Sequence, residues 1–215
     1  MTPMQEHAAP RFVLLQMRTA PSAALRIGAD ARAFCRGNDA ALVLHRAASS
    51  LDGSQAYVYL KSHAIEAPDG DAIAAAFQAR CDWASELRAS PLEAMRDFAG
   101  ASAGERARFH YVVETDPEAG WLDEISRWYD TEHMPGLAAV PGCVRAMRFL
   151  NRGAGPLSLA CYDLLRDDVL GSPPWLAVRA TAWSDIARPH FTNTKRTMFR
   201  VVAEADEDAQ RGIAP

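Results

Sequence analysis

Short apolar runs and amphipathic stretches alternate along this chain in a fixed order. Arg11 to Arg18 (RFVLLQMR) is an apolar run of strand length, and Ser22 to Gly37 is an Ala-rich helical stretch ending at glycine. Ala41 to Ala47 (ALVLHRA) and Gln55 to His63 (QAYVYLKSH) flank Leu51-Asp52-Gly53-Ser54, whose Asp-Gly pair supplies the positive φ of a tight turn and so predicts a hairpin. Asp71 to Ala89 follows as a long helix, with Ile73, Phe77, Cys81 and Leu87 at roughly helical spacing. The order so far is β, α, β, β, α.

The second half repeats it. Strand Arg108 to Glu114, helix Trp121 to His133 and strand Cys143 to Leu150 lead through the turn residues Asn151, Gly153, Gly155 and Pro156 to strand Leu157 to Leu165. Pro173-Pro174 then opens a helix over Trp175 to Ala187, and Thr194 to Ala203 is the last strand. Residue correspondence between the halves is faint: Arg11-Phe12 and Arg108-Phe109 each open a first strand, and Trp83-x4-Arg88 recurs as Trp183-x4-Arg188. On that offset Leu92 to Ala99 (LEAMRDFA), although made of helix formers, is assigned as the fourth strand of the first unit, because a unit without it keeps an unpaired sheet edge.

The fold class expected is α+β: two ferredoxin-like βαββαβ units, residues 11–100 and 106–203, joined by Ala101 to Glu105. A sheet with both helices on one face leaves the other face bare, so the two units are expected to press their open faces together into one intrachain barrel.

Composition narrows the partners. The 215 residues are 49% hydrophobic, and 23 Lys and Arg against 27 Asp and Glu give a formal charge of -4, which offers no broad positive field to nucleic acid or an anionic membrane. Cys35, Cys81, Cys143 and Cys161 lie far apart, so reduced thiols and no zinc site are expected. With no export-like or membrane-spanning segment the expected location is cytoplasmic. No phosphate-cradling glycine motif is present, and no cofactor is expected.

Candidate chemistry concentrates in Trp128-Tyr129-Asp130-Thr131-Glu132-His133-Met134-Pro135, followed by Val140-Pro141-Gly142. On a helix His133 lies at i+4 from Tyr129 and Glu132 at i+4 from Trp128, so a carboxylate and an imidazole leave one helix end together. Pro135 is expected to stop the helix there, leaving His133 in the last turn, where the helix dipole favours its protonated form. Trp183, Arg188 and His190 form a second cluster before the last strand, and an arginine stacked on a tryptophan would serve as a clamp. His45, His63 and His110 fall on predicted strands and could supply metal ligands together with Glu114 or Asp163, but no local spacing supports such a site.

The stretch WYDTEHMPGLAAVPGCVRAMRF resembles the W-Y-x-x-E-H-x-P-x-L-x-x-V-P-G pattern of EthD-like proteins in the dimeric α+β barrel superfamily, and residues 172–200 resemble the second helix and last strand of such domains. The resemblance covers about residues 108–202 and makes His133 the family histidine, with Trp128, Tyr129 and Glu132 around it. The matching helix end of the first half, Ala33-Phe34-Cys35-Arg36-Gly37, has no aromatic pair, carboxylate or histidine, so any pocket belongs to the second unit.

Two functional readings remain. In one, a small apolar or aromatic metabolite enters the open-sheet cavity; His133 and Tyr129 carry out cofactor-independent isomerisation, cyclisation or oxygenation, with Trp128, Glu132, Trp183, Arg188 and His190 around the ligand. In the other, the barrel core is filled and the chain is a non-catalytic binding or assembly module. A pocket bordered by His133 favours the enzyme, and a packed interior the module. The chain is expected to be a monomer with a pseudo-dimeric core or a homodimer of such chains.

Overall fold

The computed structural model describes residues 11–37, 42–62 and 69–205. Its elements run β1 (Arg11–Arg18), α1 (Ala24–Arg36), β2 (Leu42–Ser50), β3 (Gln55–Ser62), α2 (Gly70–Gln78) and β4 (Ser85–Ala99) in the first half. The second half contains β5 (Phe109–Pro117), α3 (Leu122–Trp128), a π-helical turn (Tyr129–His133), α4 (Met134–Ala138), β6 (Cys143–Asn151), β7 (Ser158–Leu164), α5 (Pro173–Arg179), α6 (Ala182–Ala187) and β8 (Phe191–Glu204). The strands form a closed antiparallel barrel in the order β1-β3-β2-β8-β5-β7-β6-β4. Read by halves, this is β4-β1-β3-β2 and β8-β5-β7-β6, the same ferredoxin-like order twice. Two seams, β2 with β8 and β4 with β6, close the barrel within one chain.

Strand alternation builds three apolar layers. Phe12 and Leu14 of β1 join Tyr57, Tyr59, Phe149, Leu159 and Phe199 inside the barrel. Val13, Leu15 and Met17 of the same strand face α1 and α2 with Phe34 and Phe77. In the second half, Tyr111, Ala160 and Tyr162 pack outward under the helices with Trp128, Tyr129 and Trp175. The helices therefore lie outside the barrel, and the faces a lone unit would expose are buried against each other.

The hairpin at Leu51–Ser54 forms as expected, with Gly53 at φ 69° and Asp52 accepting from the Ser54 backbone N–H at 3.0 Å. The long helix expected over Asp71 to Ala89 ends instead at Gln78, whose amide caps the carbonyls of Cys81 and Ala84 at 3.2 and 2.8 Å. From Ser85 the chain is strand, paired with β1 from Ser85 to Glu93 and then with β6. Tertiary pairing outweighs the local helix preference, and the assigned fourth strand is longer than read from the sequence. The helix expected over Trp175 to Ala187 is likewise two, because Thr181 caps a new start by accepting from Ser184 N–H at 3.1 Å. Ala41 and His63, at the ends of two expected strands, lie outside the described residues.

Candidate functional site

The segment that carries the sequence motif is helical beyond its proline. α3 passes into the π turn, where the Met134 N–H reaches back five residues to the Tyr129 carbonyl, and α4 continues to Ala138. The expectation that the helix stops at Pro135 is thus corrected. An inserted residue loosens the turn before a proline ring that would clash with the carbonyl four residues back, and Met134 keeps helical φ and ψ of -71° and -44°.

That insertion decides which side chains meet. In an α-helix Glu132 would lie over Trp128, but across the π turn it is His133, five residues on, that stacks on the Trp128 ring with centroids 4.1 Å apart. Tyr129 meets the imidazole edge-on at 5.7 Å. Glu132 turns away and accepts from the Thr181 hydroxyl at 2.6 Å, so it is not at His133's side as the spacing implied.

His133, Trp128 and Tyr129 border a narrow cleft between the helices and the outer sheet face, with a volume of about 30 Å³, room for a water molecule or two. Tyr111 of β5 and Tyr162 of β7, partners in the strand register, form its floor, and Trp175 closes a side. The His133 Nδ1, the Trp128 Nε1 and the Tyr162 hydroxyl are shielded from solvent and have no hydrogen-bond partner. Arg179, Arg188 and Arg196 line the same cleft. Burial, then Arg179 and Arg188, push the His133 pKa down to about 3, so the imidazole is neutral and the dipole-favoured cation expected from the sequence does not form. Burial raises the Tyr129 phenol, which stays protonated.

The other predicted site residues part company. Arg188 lines the cleft. Trp183 does not: it donates to Glu124 at 2.8 Å, as Trp83 does to Asp30 at 2.8 Å in the first half. The recurring tryptophans thus tie each half's later segment to its first helix. The guanidinium over Trp183 is Arg127 at 5.5 Å, which replaces the expected Arg188 clamp. His190 also lies outside the cleft, stacked on Trp121 with its Nδ1 2.6 Å from Glu118. Tyr111, Tyr162, Trp175, Arg179 and Arg196 were not singled out from the sequence. Alternation along β5 and β7 places the two tyrosines on the helix face, but the arginines carry no local signal.

The barrel interior, the cavity the sequence suggested for a substrate, is filled. Asp163 accepts from Arg46 and lies 2.7 Å from His110 Nδ1, while His110 Nε2 lies 3.1 Å from the Tyr59 hydroxyl. Burial alone would raise Asp163, but Arg46 and His110 outweigh it and hold the carboxylate well below its usual range. Toward the other end, Glu114 accepts from Tyr57 at 2.6 Å and Gln16 at 2.7 Å. A gap of about 10 Å³ is left beside His110.

No family model matches the chain, and no curated protein matches its sequence. Solved structures do match in shape. A proposed monooxygenase from Fusobacterium nucleatum aligns with a TM-score of 0.66 at 11% identity over 94% of this chain and 96% of its own. An anthrone oxidase-like protein gives 0.62 at 12% identity over 91% and 92%. A chlorite dismutase from Candidatus Nitrospira defluvii gives 0.60 at 8% identity over 89% and 90%. The chain has the dimeric α+β barrel fold, and at these identities the likeness speaks for the fold alone.

Proposed function

We propose that this chain is a cofactor-independent enzyme, of oxygenase or isomerase type, that moves a proton on a small aromatic metabolite at the His133 cleft. EthD-like kinship, suggested by the W-Y-x-x-E-H motif, is part of that reading. The observation that carries it is a neutral imidazole with a partnerless, shielded Nδ1, stacked on Trp128 and bordering a cleft. Burying polar atoms without partners costs free energy, which a ligand that supplies the partners recovers.

In the oxygenase form, His133 accepts a proton from a carbon conjugated with a carbonyl through an aromatic ring, the resulting enolate reduces dioxygen, and the imidazolium returns its proton to the peroxide oxygen. A hydroperoxide at that carbon then loses water and leaves a second carbonyl. The negative charge of the enolate stabilises the imidazolium that burial disfavours, and the Tyr129 phenol, held protonated, is the donor for the oxyanion. The cleft holds about 30 Å³, so entry requires its rim side chains to move. The filled barrel favours the alternative reading, a non-catalytic module, and one assay separates the two. Anthrone, suggested by the anthrone oxidase-like neighbour, should be converted to anthraquinone with uptake of one dioxygen per molecule and release of water. His133→Asn should lower the rate at least about 100-fold, in line with the worth of a positioned base. Turnover no faster than with heat-inactivated protein, for anthrone and for related phenols and followed both as dioxygen uptake and as isomer formation, sinks the enzyme reading.

A further inference from the structure

Arginines elsewhere in this molecule commonly sit beside carboxylates or, like Arg80 and Arg200, lie exposed over an aromatic ring. Arg46 pairs with Asp163 and Glu204, Arg145 with Asp97, Arg148 with Asp130 and Arg152 with Glu93. Even the broad depression at the barrel end, about 1020 Å³ and rich in arginine, is balanced this way. The His133 cleft is different. Arg179 from the last turn of α5, Arg188 from the turn before β8 and Arg196 from β8 converge on it, and among the described residues none has a carboxylate within ion-pair distance. The only hydrogen bond between them is from the Arg188 guanidinium to the Arg179 backbone carbonyl, at 3.3 Å. Three like charges from three elements repel one another, and Arg188 is held below the usual arginine range by burial and then by Arg179 and Arg196.

We propose that Arg179, Arg188 and Arg196 receive the carboxylate of a hydroxylated aromatic acid whose ring enters the cleft beside His133. Guanidinium forks match a carboxylate in plane and charge, and three cations without counter-ions are offset when one anion arrives. The second, independent observation is inside the cleft: His133 Nδ1 and the Tyr162 hydroxyl are shielded and partnerless. A ring hydroxyl next to the carboxylate supplies the missing partner, while Trp128 and Tyr129 offer aromatic walls. The bound anion also screens His133 from Arg179 and Arg188, so the substrate itself makes the imidazole a better proton acceptor. This assignment rests on the cleft being the substrate site and names the class it takes.

Calorimetry with 1-hydroxy-2-naphthoate and its neutral amide tests it. The acid should bind at least tenfold more tightly than the amide, and Arg179→Gln with Arg188→Gln should erase that difference. Arg196→Gln, at an exposed strand position, should reduce the difference without endangering the fold. Equal affinity for acid and amide, a preference that survives all three substitutions, tighter binding of 1-naphthyl phosphate than of the acid, or no binding of either probe overturns the proposal. Charge-dependent binding without dioxygen uptake retains the anion site and removes the oxygenase form of the catalytic reading. Dioxygen uptake with equal binding of acid and amide does the reverse.

Discussion

Protonating His133 should cost the folded protein stability in mildly acid solution, and the size follows from its burial. The folded-state pKa is about 3 against an ordinary 6.5. The folded chain therefore resists a proton that the unfolded chain accepts, so the stabilising contribution is complete above the unfolded value and is lost as pH falls below it. Going from about pH 7.5 to about pH 5.5, the unfolded state gains RT ln(1 + 10), or about 1.4 kcal/mol, and the folded state almost nothing. His45, also pushed to about 3, and His110, lowered by burial, act in the same direction, so wild type alone does not isolate the effect. His133→Asn does. Urea unfolding of both proteins at the two pH values, with unchanged m-values, should show the wild type losing about 1.4 kcal/mol more than the variant. Equal losses would refute the neutral, buried imidazole on which the proposed chemistry depends.

Two further outcomes are expected. The four thiols are free, and burial raises them, Cys35 and Cys81 to about 11 and Cys143 to about 12; a thiol reagent at about pH 8 should react slowly with native protein and count four groups under denaturing conditions without reductant. Asp163→Ala leaves Arg46 buried without its closest counter-ion and should destabilise the barrel by about 3–5 kcal/mol in urea unfolding, whereas a loss under about 1 kcal/mol would mean that Glu204 or water replaces the pair.

The barrel was legible because its causes are local or topological. Strand-length apolar runs, the Asp52-Gly53 turn and the need to cover two open sheet faces lead to it without reference to any partner. Residues 92–99 became strand on the topological argument although their propensity spoke for helix, whereas residues 85–89 were read from propensity and misassigned. In the site, Trp128, Tyr129 and His133 stand where the motif pointed, but their mutual placement depends on one extra residue in a helical turn, which ideal spacing does not encode. The same register shift removes Glu132. The arginine rim was illegible for another reason: Arg179, Arg188 and Arg196 come from separate elements, and only the packing of α5 and β8 over the sheet brings them together.

The seams that close the barrel have a bearing on synthesis. β2 borders the first half, yet its outer partner, β8, emerges from the ribosome some 140 residues later, and β4 must wait for β6. In the interval both would be raw edges able to recruit the wrong strand or a neighbouring nascent chain. Each carries deterrents. The register of β2 slips at Leu44/Arg46 and again at Ala47/Ala48, that of β4 at Ala94/Arg96, and Arg46 is a charge pointing inward. Irregular edges and inward charges discourage foreign pairing. Once β7 and β8 arrive, Asp163 and Glu204 neutralise that same guanidinium, so a residue that guards the growing chain against premature partners becomes the latch of the finished one.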